Sequence, residues 1–373
     1  MNSRQRVFNA LNYKLSDRVP LNGWFLNEVL DRLKKYYMVN DVEEVLEALG
    51  IDFRTTCMEP EENFRKNSSY FKKLGLSIMI DDYYIRPTVK DEVEDEWGVK
   101  IKITGEQDLN WKYSCHPLNE NGKLSLNNLK LPDLNSPGRF DKVKRDVENW
   151  KSKYIVAAGV STLFRKGWIL CGFTRFLEAL YTDREFIEKL LDKLMEFYTS
   201  LIGKYVEAGI DIIQFGGDLG TEDSLMISPK LWREIFKPRL KHMISSNKKE
   251  GVSFYLHSDG NISEIIPDLI DAGINILNPI QPECMEPKEI KSKYGKEIMM
   301  EGTMSLQRTF SQGSTEDIKN EVINRIKDCG YNGGLVLAPS NAFTSDIPLE
   351  NIIYFYDFVK SINPETLLNG TNL

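Results

Sequence analysis

Residues 251–279 read GVSFYLHSDGNISEIIPDLIDAGINILNP, and they predict a strand, a helix and a second strand in direct succession. The first strand covers residues 253–257, the helix 262–272 and the second strand 274–279. The strands are apolar runs that end in polar, turn-forming residues, whereas the helix has apolar residues at helical spacing. Strands that alternate with helices indicate a parallel sheet.

The same alternation extends over the chain and predicts eight strands, at residues 18–21, 51–56, 154–159, 211–215, 253–257, 274–279, 297–301 and 334–338. Eight strands favour a closed (β/α)8 TIM barrel over a doubly wound sheet. The sequence contains no GxGxxG dinucleotide loop and no Walker loop, which weakens the doubly wound alternative further. A long helical region is expected at residues 176–208 and a helix at residues 229–250.

Residues 59–151 interrupt this regularity. The stretch is charged, contains Pro and Gly-Asn turn signals, and holds two β-like segments, at residues 94–104 and 110–115. We interpret it as a β-containing insertion, an accessory layer within a single domain that spans residues 1–373.

Composition excludes several classes of protein. The 373 residues are 41% hydrophobic and 28% charged, which is typical of a globular protein, and the net charge of −7 argues against a nucleic-acid or anionic-membrane surface. No apolar run is long enough to span a membrane, and the N-terminal residues lack the apolar region of a secretory leader. The five cysteines form no CxxC pair, so we expect a reducing, cytoplasmic environment.

The clearest candidate site lies where the strand at 253–257 ends. Residues two apart on a strand point to the same side, so His257 and Asp259 are expected to face one cavity. Imidazole nitrogen and carboxylate oxygen are both zinc ligands, and a third ligand would come from another strand end. The alternative is a hydrogen-bonded pair that holds the loop before Gly260.

Two carboxylates are candidate catalytic groups, together with His257. Asp218 lies in the glycine-rich segment GGDLG, where it could orient substrate, bind a cation or accept a proton; a turn-capping role is the alternative. Glu301 ends an apolar strand, where a carboxylate needs a partner or a raised pKa, and this favours a role in the site.

Other residues at the strand ends are candidates for binding substrate. Trp24 and Phe25 follow the first strand and could wall an aromatic pocket, with core packing as the alternative. Asn278 and Asn341 follow later strands and could contact the substrate. Cys284 is near the predicted rim and is interpreted as a bystander.

Four segments of the sequence resemble the uroporphyrinogen decarboxylase-like superfamily: residues 4–20 (RQRVFNALNYKLSDRVP), 216–241, 255–283 and 333–352. The resemblance covers nearly the whole chain apart from parts of the insertion. It implies a (β/α)8 barrel, and a homodimer. The two main activities of the superfamily are cofactor-free decarboxylation of uroporphyrinogen and zinc-dependent methyl transfer to or from a corrinoid protein.

Unlike the decarboxylases of this superfamily, the chain lacks the arginine-rich RQAGR-type motif that binds the porphyrinogen carboxylates. The corresponding residues 22–27 read NGWFLN, without arginine. Decarboxylation of uroporphyrinogen is therefore disfavoured.

Against the coenzyme M methyltransferases, the chain keeps the zinc-motif histidine, His257, but lacks both thiolates. Their first cysteine corresponds to Asp259 and their second falls at about Asn341. The resemblance then implies a site of nitrogen and oxygen ligands from His257, Asp259, Glu222 or Glu301, which suits an ether or alcohol oxygen more than a thiol.

With this resemblance, the sequence predicts methyl transfer from a small methoxylated donor, for which an aromatic compound is one candidate, to the cob(I)alamin of a partner corrinoid protein, with zinc as Lewis acid. A cofactor-free decarboxylase of a smaller acid that uses Asp218 is the first alternative. The second is a non-catalytic barrel that binds a tetrapyrrole or a corrinoid protein.

Overall fold

The structure is a computed structural model that describes residues 1–65, 85–89, 91–104 and 111–370. Its strands in chain order are β1 Phe53–Thr56, β2 Ile85–Val89, β3 Glu92–Asp95, β4 Lys100–Ile103, β5 Trp111–Cys115, β6 Asn119–Glu120, β7 Lys123–Leu124, β8 Ile155–Ser161, β9 Ile212–Gly216, β10 Ser253–His257, β11 Ile276–Asn278, β12 Met299–Glu301 and β13 Leu335–Val336.

The predicted barrel is confirmed. Seven parallel strands form one sheet in the order β1-β8-β9-β10-β11-β12-β13. The first predicted strand lies between the two ends of this sheet: Leu337 N–H donates to Pro20 O (2.9 Å), and Asp52 N–H donates to Leu21 O (2.9 Å). Leu21 and Leu337 form a parallel bridge. This segment therefore joins β13 to β1 and closes the sheet, leaving no exposed edge.

The helices are α1 Ser3–Leu11, α2 Asn27–Tyr37, α3 Val42–Leu49, α4 Glu62–Arg65, α5 Asp141–Trp150, α6 Leu163–Cys171, α7 Phe173–Thr182, α8 Arg184–Ala208, α9 Pro229–Ile235, α10 Lys237–Ser246, α11 Ile266–Ala272, α12 Pro287–Tyr294, α13 Thr315–Cys329, α14 Leu349–Ser361 and α15 Pro364–Leu368. A π-helical turn, Leu306–Phe310, follows β12.

The helical region expected at residues 176–208 comprises two helices, α7 and α8, and the single helix expected at 229–250 is divided into α9 and α10. Between α7 and α8, Asp183 leaves helical geometry and its carboxylate caps α8 by accepting from Phe186 N–H (3.2 Å). Between α9 and α10, Pro238 has no N–H to donate to the preceding turn.

The barrel interior is apolar in its lower part and polar at its upper end. Strand residues such as Phe53, Ile212 and Met299 fill the lower part, and α1 covers the bottom with Val7 and Ala10. Burying each large apolar side chain contributes about 1.5–3 kcal/mol. The packed floor leaves the strands' carboxyl ends as the accessible end of the barrel.

The described part of the predicted insertion forms two small antiparallel sheets. Strands β2–β5 make an antiparallel sheet and β6–β7 a small hairpin. Trp97 is buried and packs its ring against Phe197 of α8, with the ring centroids 4.9 Å apart. The predicted β-like segments correspond to β3 with β4 and to β5, whereas Asn110 and residues 66–84 lie outside the described residues. The boundaries 59–151 stay a prediction. No helix among the described residues is long and apolar enough to cross a membrane.

Candidate functional site

Three potential metal ligands meet at the carboxyl ends of β9 and β10. Ligand atoms of Asp218, His257 and Asp259 all lie within 4.8 Å of one another. His257 is the last residue of β10, and Asp218 follows β9, its neighbour in the sheet. Because parallel strands end at the same rim, these side chains are brought together from two adjacent loops.

Glu222, which the sequence analysis included among the metal ligands, is not part of this group. It lies exposed, four residues after Asp218 in the same loop. Asp218 takes its place because the loop folds back on the strand end: Asp259 N–H donates to Asp218 Oδ1 at 3.0 Å. This hydrogen bond holds the two carboxylates beside each other.

Asp259 is an acid in an unfavourable place for negative charge. Its Oδ2 accepts from the amide of Asn341, whereas its Oδ1 is buried and has no hydrogen-bond partner among the described residues. Burial raises the pKa of Asp259 to about 6 and Asp218 adds to the rise, while His257 and Asn341 oppose it. A cation between the two carboxylates would offset both the burial of the Asp259 charge and its repulsion by Asp218.

His257 presents one ring nitrogen to this group. Its Nδ1 lies 2.7 Å from Asn278 Oδ1, and its Nε2 lies 3.8 Å from Asp259 Oδ1. The edge of Trp24 packs beside the ring, with centroids 6.3 Å apart. Trp24 is 9% exposed and belongs to the interior apolar cluster, so it closes the barrel interior next to His257.

Glu301 lies below this group and is completely buried. Its Oε1 accepts hydrogen bonds from Asn22 Nδ2 (3.0 Å) and from Tyr255 OH (3.2 Å). Burial raises the pKa of Glu301 to about 7, although Asn22, Tyr255 and His257 oppose the rise. The sequence analysis placed this carboxylate among the catalytic groups, but it does not line the cavity.

Replacing Glu301 with glutamine is expected to weaken the pH dependence of stability. The ordinary pKa is 4.5 and the folded value is about 7, so the folded state binds more protons between these values. The stabilisation is complete below pH 4.5 and is lost as pH rises through about 7. The gap corresponds to on the order of 3 kcal/mol. Urea unfolding with chelator, at about pH 5 and pH 8, should show this loss in the wild type and not in Glu301→Gln. Equal losses in both proteins would contradict it.

The loop after Asp259 depends on a glycine. Gly260 has φ +82°, and a Cβ there would collide with the backbone of Gly220 and Thr221. Its N–H donates to Gln281 Oε1 at 3.2 Å. The strand end is therefore packed against the Asp218 loop with no room for a side chain.

Gly260→Ala is expected to destabilise the protein by more than Gly251→Ala, a matched control. Gly251 has nearly the same φ, +80°, but an added Cβ would meet nothing within 4 Å. The control carries only the backbone strain, roughly 1 kcal/mol. Urea unfolding should place Gly260→Ala at least about 2 kcal/mol below the control; equal values would show that the loop is not packed as described.

A cavity of about 390 Å³ opens beside Asp259 and Asn341. Its lining residues in the described part of the chain are Leu26, Asp259, Gln281, Leu306, Gln307, Ser340, Asn341, Ala342 and Thr344, and of these only Asp259 is charged. The two asparagines that are predicted to contact substrate lie in different places. Asn341 lines the cavity, whereas Asn278 is 0% exposed beneath His257.

Phe25 turns away from the cavity and stacks on Phe343, with the ring centroids 5.4 Å apart. It is therefore a packing residue, the alternative left open for the Trp24–Phe25 pair. Leu306 and Gln307, on the π-helical turn, were missed because the sequence around them carries no distinguishing signal. Burial, together with nearby carboxylates of which Glu222 is foremost, raises the pKa of the Cys284 thiol to about 11. Cys284 is not part of the group of potential metal ligands.

Comparison with known proteins identifies relatives of this barrel. The family model described as "Uroporphyrinogen decarboxylase (URO-D)" matches residues 148–362, more than half of the chain. The uroporphyrinogen decarboxylase of Mannheimia succiniciproducens is 20% identical over 64% of this chain and 68% of its own length. That of Legionella pneumophila strain Lens is 21% identical over 52% of this chain, and the chain spans only 53% of its length.

Among solved structures, a methyltransferase from Methanosarcina mazei is similar, with a TM-score of 0.68 and 19% identity. The alignment covers 96% of this chain and 98% of that one. At this identity the likeness shows a shared fold over nearly the whole chain.

Proposed function

The chain belongs to the uroporphyrinogen decarboxylase (URO-D) family, and from that membership we propose that it is a methyltransferase with a metal site at the barrel mouth. The observation that carries the proposal is the group of Asp218, His257 and Asp259 beside a cavity of about 390 Å³. The methyltransferase with the same fold adds support.

The donor atoms fit a zinc ion. One imidazole and two carboxylates make three protein ligands, the number that catalytic zinc sites use while leaving a position for substrate. Asp259 Oδ1 is buried and has no hydrogen-bond partner among the described residues, and a zinc ion would provide one. Asp218, His257 and Asp259 would hold the ion, and the set contains only the nitrogen and oxygen ligands that accompany harder metal chemistry.

The cavity favours an uncharged or cationic methyl donor. Among the described residues that line it, Asp259 is the only charged one, and the loop at residues 22–27 supplies no arginine. Along the described lining, a porphyrinogen with eight carboxylates would meet one carboxylate and no cationic side chain. A methoxylated, aromatic compound is the donor that we propose, with Leu26 and Leu306 against its apolar part.

In the proposed reaction the bond between the ether oxygen and its methyl carbon breaks, and the methyl group passes to cob(I)alamin on a partner protein. A zinc ion held by Asp218, His257 and Asp259 would supply Lewis acidity to the ether oxygen. The phenoxide that leaves takes up a proton from solvent at the open mouth. Asn341 holds Asp259 by its amide, and the Trp24 ring shields His257 from the barrel interior.

The experiment is conversion of cob(I)alamin to methylcobalamin by zinc-loaded protein with a panel of methoxylated aromatic donors. We expect methylcobalamin to form with neutral donors and to be lost in His257→Ala. Absence of methylcobalamin with every donor would contradict the proposal.

The names of the curated relatives favour a second candidate, a cofactor-free decarboxylase that uses the exposed Asp218 on a small acid. Carbon dioxide release without corrinoid or metal would establish that alternative. Tight corrinoid binding without turnover, unchanged in His257→Ala, would instead indicate the non-catalytic barrel.

A further inference from the structure

A buried chain of polar side chains runs from Glu301 through Asn278 to His257. Asn278 Nδ2 lies 3.4 Å from Glu301 Oε1, and Asn278 Oδ1 lies 2.7 Å from His257 Nδ1. We infer that Glu301 and Asn278 are positioning residues, which force the neutral His257 ring to carry its proton on Nδ1 and to present the Nε2 lone pair to the cavity.

The first step is the orientation of the Asn278 amide. Glu301 Oε1 acts as an acceptor, because Asn22 Nδ2 and Tyr255 OH already donate to it. The NH2 group of Asn278 is therefore the end that faces Glu301. The opposite orientation would place two acceptor oxygens against each other without water between them.

The orientation of the Asn278 amide determines which nitrogen of His257 carries the proton. With its NH2 group toward Glu301, Asn278 faces His257 with its carbonyl oxygen, which can only accept. The Nδ1 atom must then be the donor, and in a neutral imidazole the other nitrogen is left with a lone pair. An imidazole in water prefers the reverse arrangement, with its proton on Nε2, so the protein has to impose this tautomer.

The surroundings make the orientation rigid. Asn278, Glu301 and Tyr255 are each 0% exposed, so water cannot take over these hydrogen bonds. Gly302 adopts φ +70°, and a Cβ there would lie 2.7 Å from Asn278 Nδ2. The chain after Glu301 thus packs directly onto the amide, which leaves it little room to flip.

This assignment replaces the sequence-based roles of both residues. Asn278 cannot touch a substrate from beneath His257, and Glu301 is one side chain further from the cavity. Only the use of the lone pair, as a zinc ligand, rests on the proposed function. The tautomer itself does not depend on metal, donor or corrinoid.

The test is long-range proton–nitrogen correlation NMR of the full chain with 15N-labelled histidine, treated with chelator at about pH 8, where imidazole is neutral. The chain has three histidines, and His257→Gln assigns the signal. The other two are internal references. His116 Nδ1 lies 2.6 Å from Ile169 O and must donate, whereas His242 is exposed on α10.

We expect His257 to show the Nδ1–H pattern of His116 in the wild type. Asn278→Leu and Glu301→Met should shift it toward the pattern of His242, and zinc affinity should fall by about 10–100-fold. Glu301→Gln keeps a carbonyl oxygen for the three donors and should retain the wild-type pattern. An Nε2–H pattern in the wild type overturns the inference, even if no variant folds; so does an unchanged tautomer in folded Asn278→Leu.

Discussion

Replacing His257 with alanine is expected to lower zinc affinity by more than about 100-fold. Loss of a residue that only orients a ligand costs about 10–100-fold, so removal of a ligand should cost more. His257 also supplies the only nitrogen of the group, and without it Asp218 and Asp259 would hold the ion with carboxylate oxygens alone. Methyl transfer should fall to background in the same variant.

Competition against a chromophoric chelator measures this affinity directly. His242→Ala is the matched control, because this exposed histidine on α10 is not part of the metal group. We expect its zinc affinity to equal that of the wild type. If His257→Ala retained stoichiometric zinc at wild-type affinity, the metal would have to lie elsewhere.

Asp52→Ala is expected to cost about 3–5 kcal/mol of unfolding free energy. Asp52 is 0% exposed and accepts from Arg18 Nη1 (2.7 Å), Arg18 Nη2 (2.9 Å) and Leu21 N–H (2.8 Å). In Asp52→Ala the buried Arg18 guanidinium loses this counter-charge. Leu21, in the segment that closes the barrel, loses the acceptor of its N–H hydrogen bond.

Urea unfolding compares Asp52→Ala with Asp17→Ala. Asp17 is also paired with an arginine, Arg6, at 2.6 Å, but its side chain is 43% exposed. Exposed pairs contribute roughly 1 kcal/mol or less. If Asp52→Ala lost no more unfolding free energy than Asp17→Ala, the ion pair of Asp52 with Arg18 would not stabilise the closure of the barrel.

The sequence predicted the barrel because its strands are buried on both faces and appear as short apolar runs between helices. Closure through residues 18–21 was harder to predict, since Leu21 pairs with Leu337 at the far end of the chain. Pro238 could have indicated the break between α9 and α10 from the sequence, because proline has no N–H to donate to the preceding turn.

Strand periodicity relates some of the predicted site residues to one another, whereas loop geometry decides where the others lie. His257 and Asp259 are two residues apart at one strand end, and the structure brings them together. The choice of Asp218 over Glu222 depends on a loop that returns to Asp259, and periodicity contains no information about it. Likewise, Trp24 and Phe25 are equivalent in sequence, but only Trp24 reaches His257.

We propose that one imidazole and two carboxylates hold the metal, in place of a set with two thiolates. X-ray absorption at the zinc edge of stoichiometrically loaded protein tests this ligand set most directly. We predict one shell of nitrogen and oxygen atoms at about 2.0–2.2 Å. A sulfur shell at about 2.3 Å, or failure to take up one zinc per chain, would contradict it.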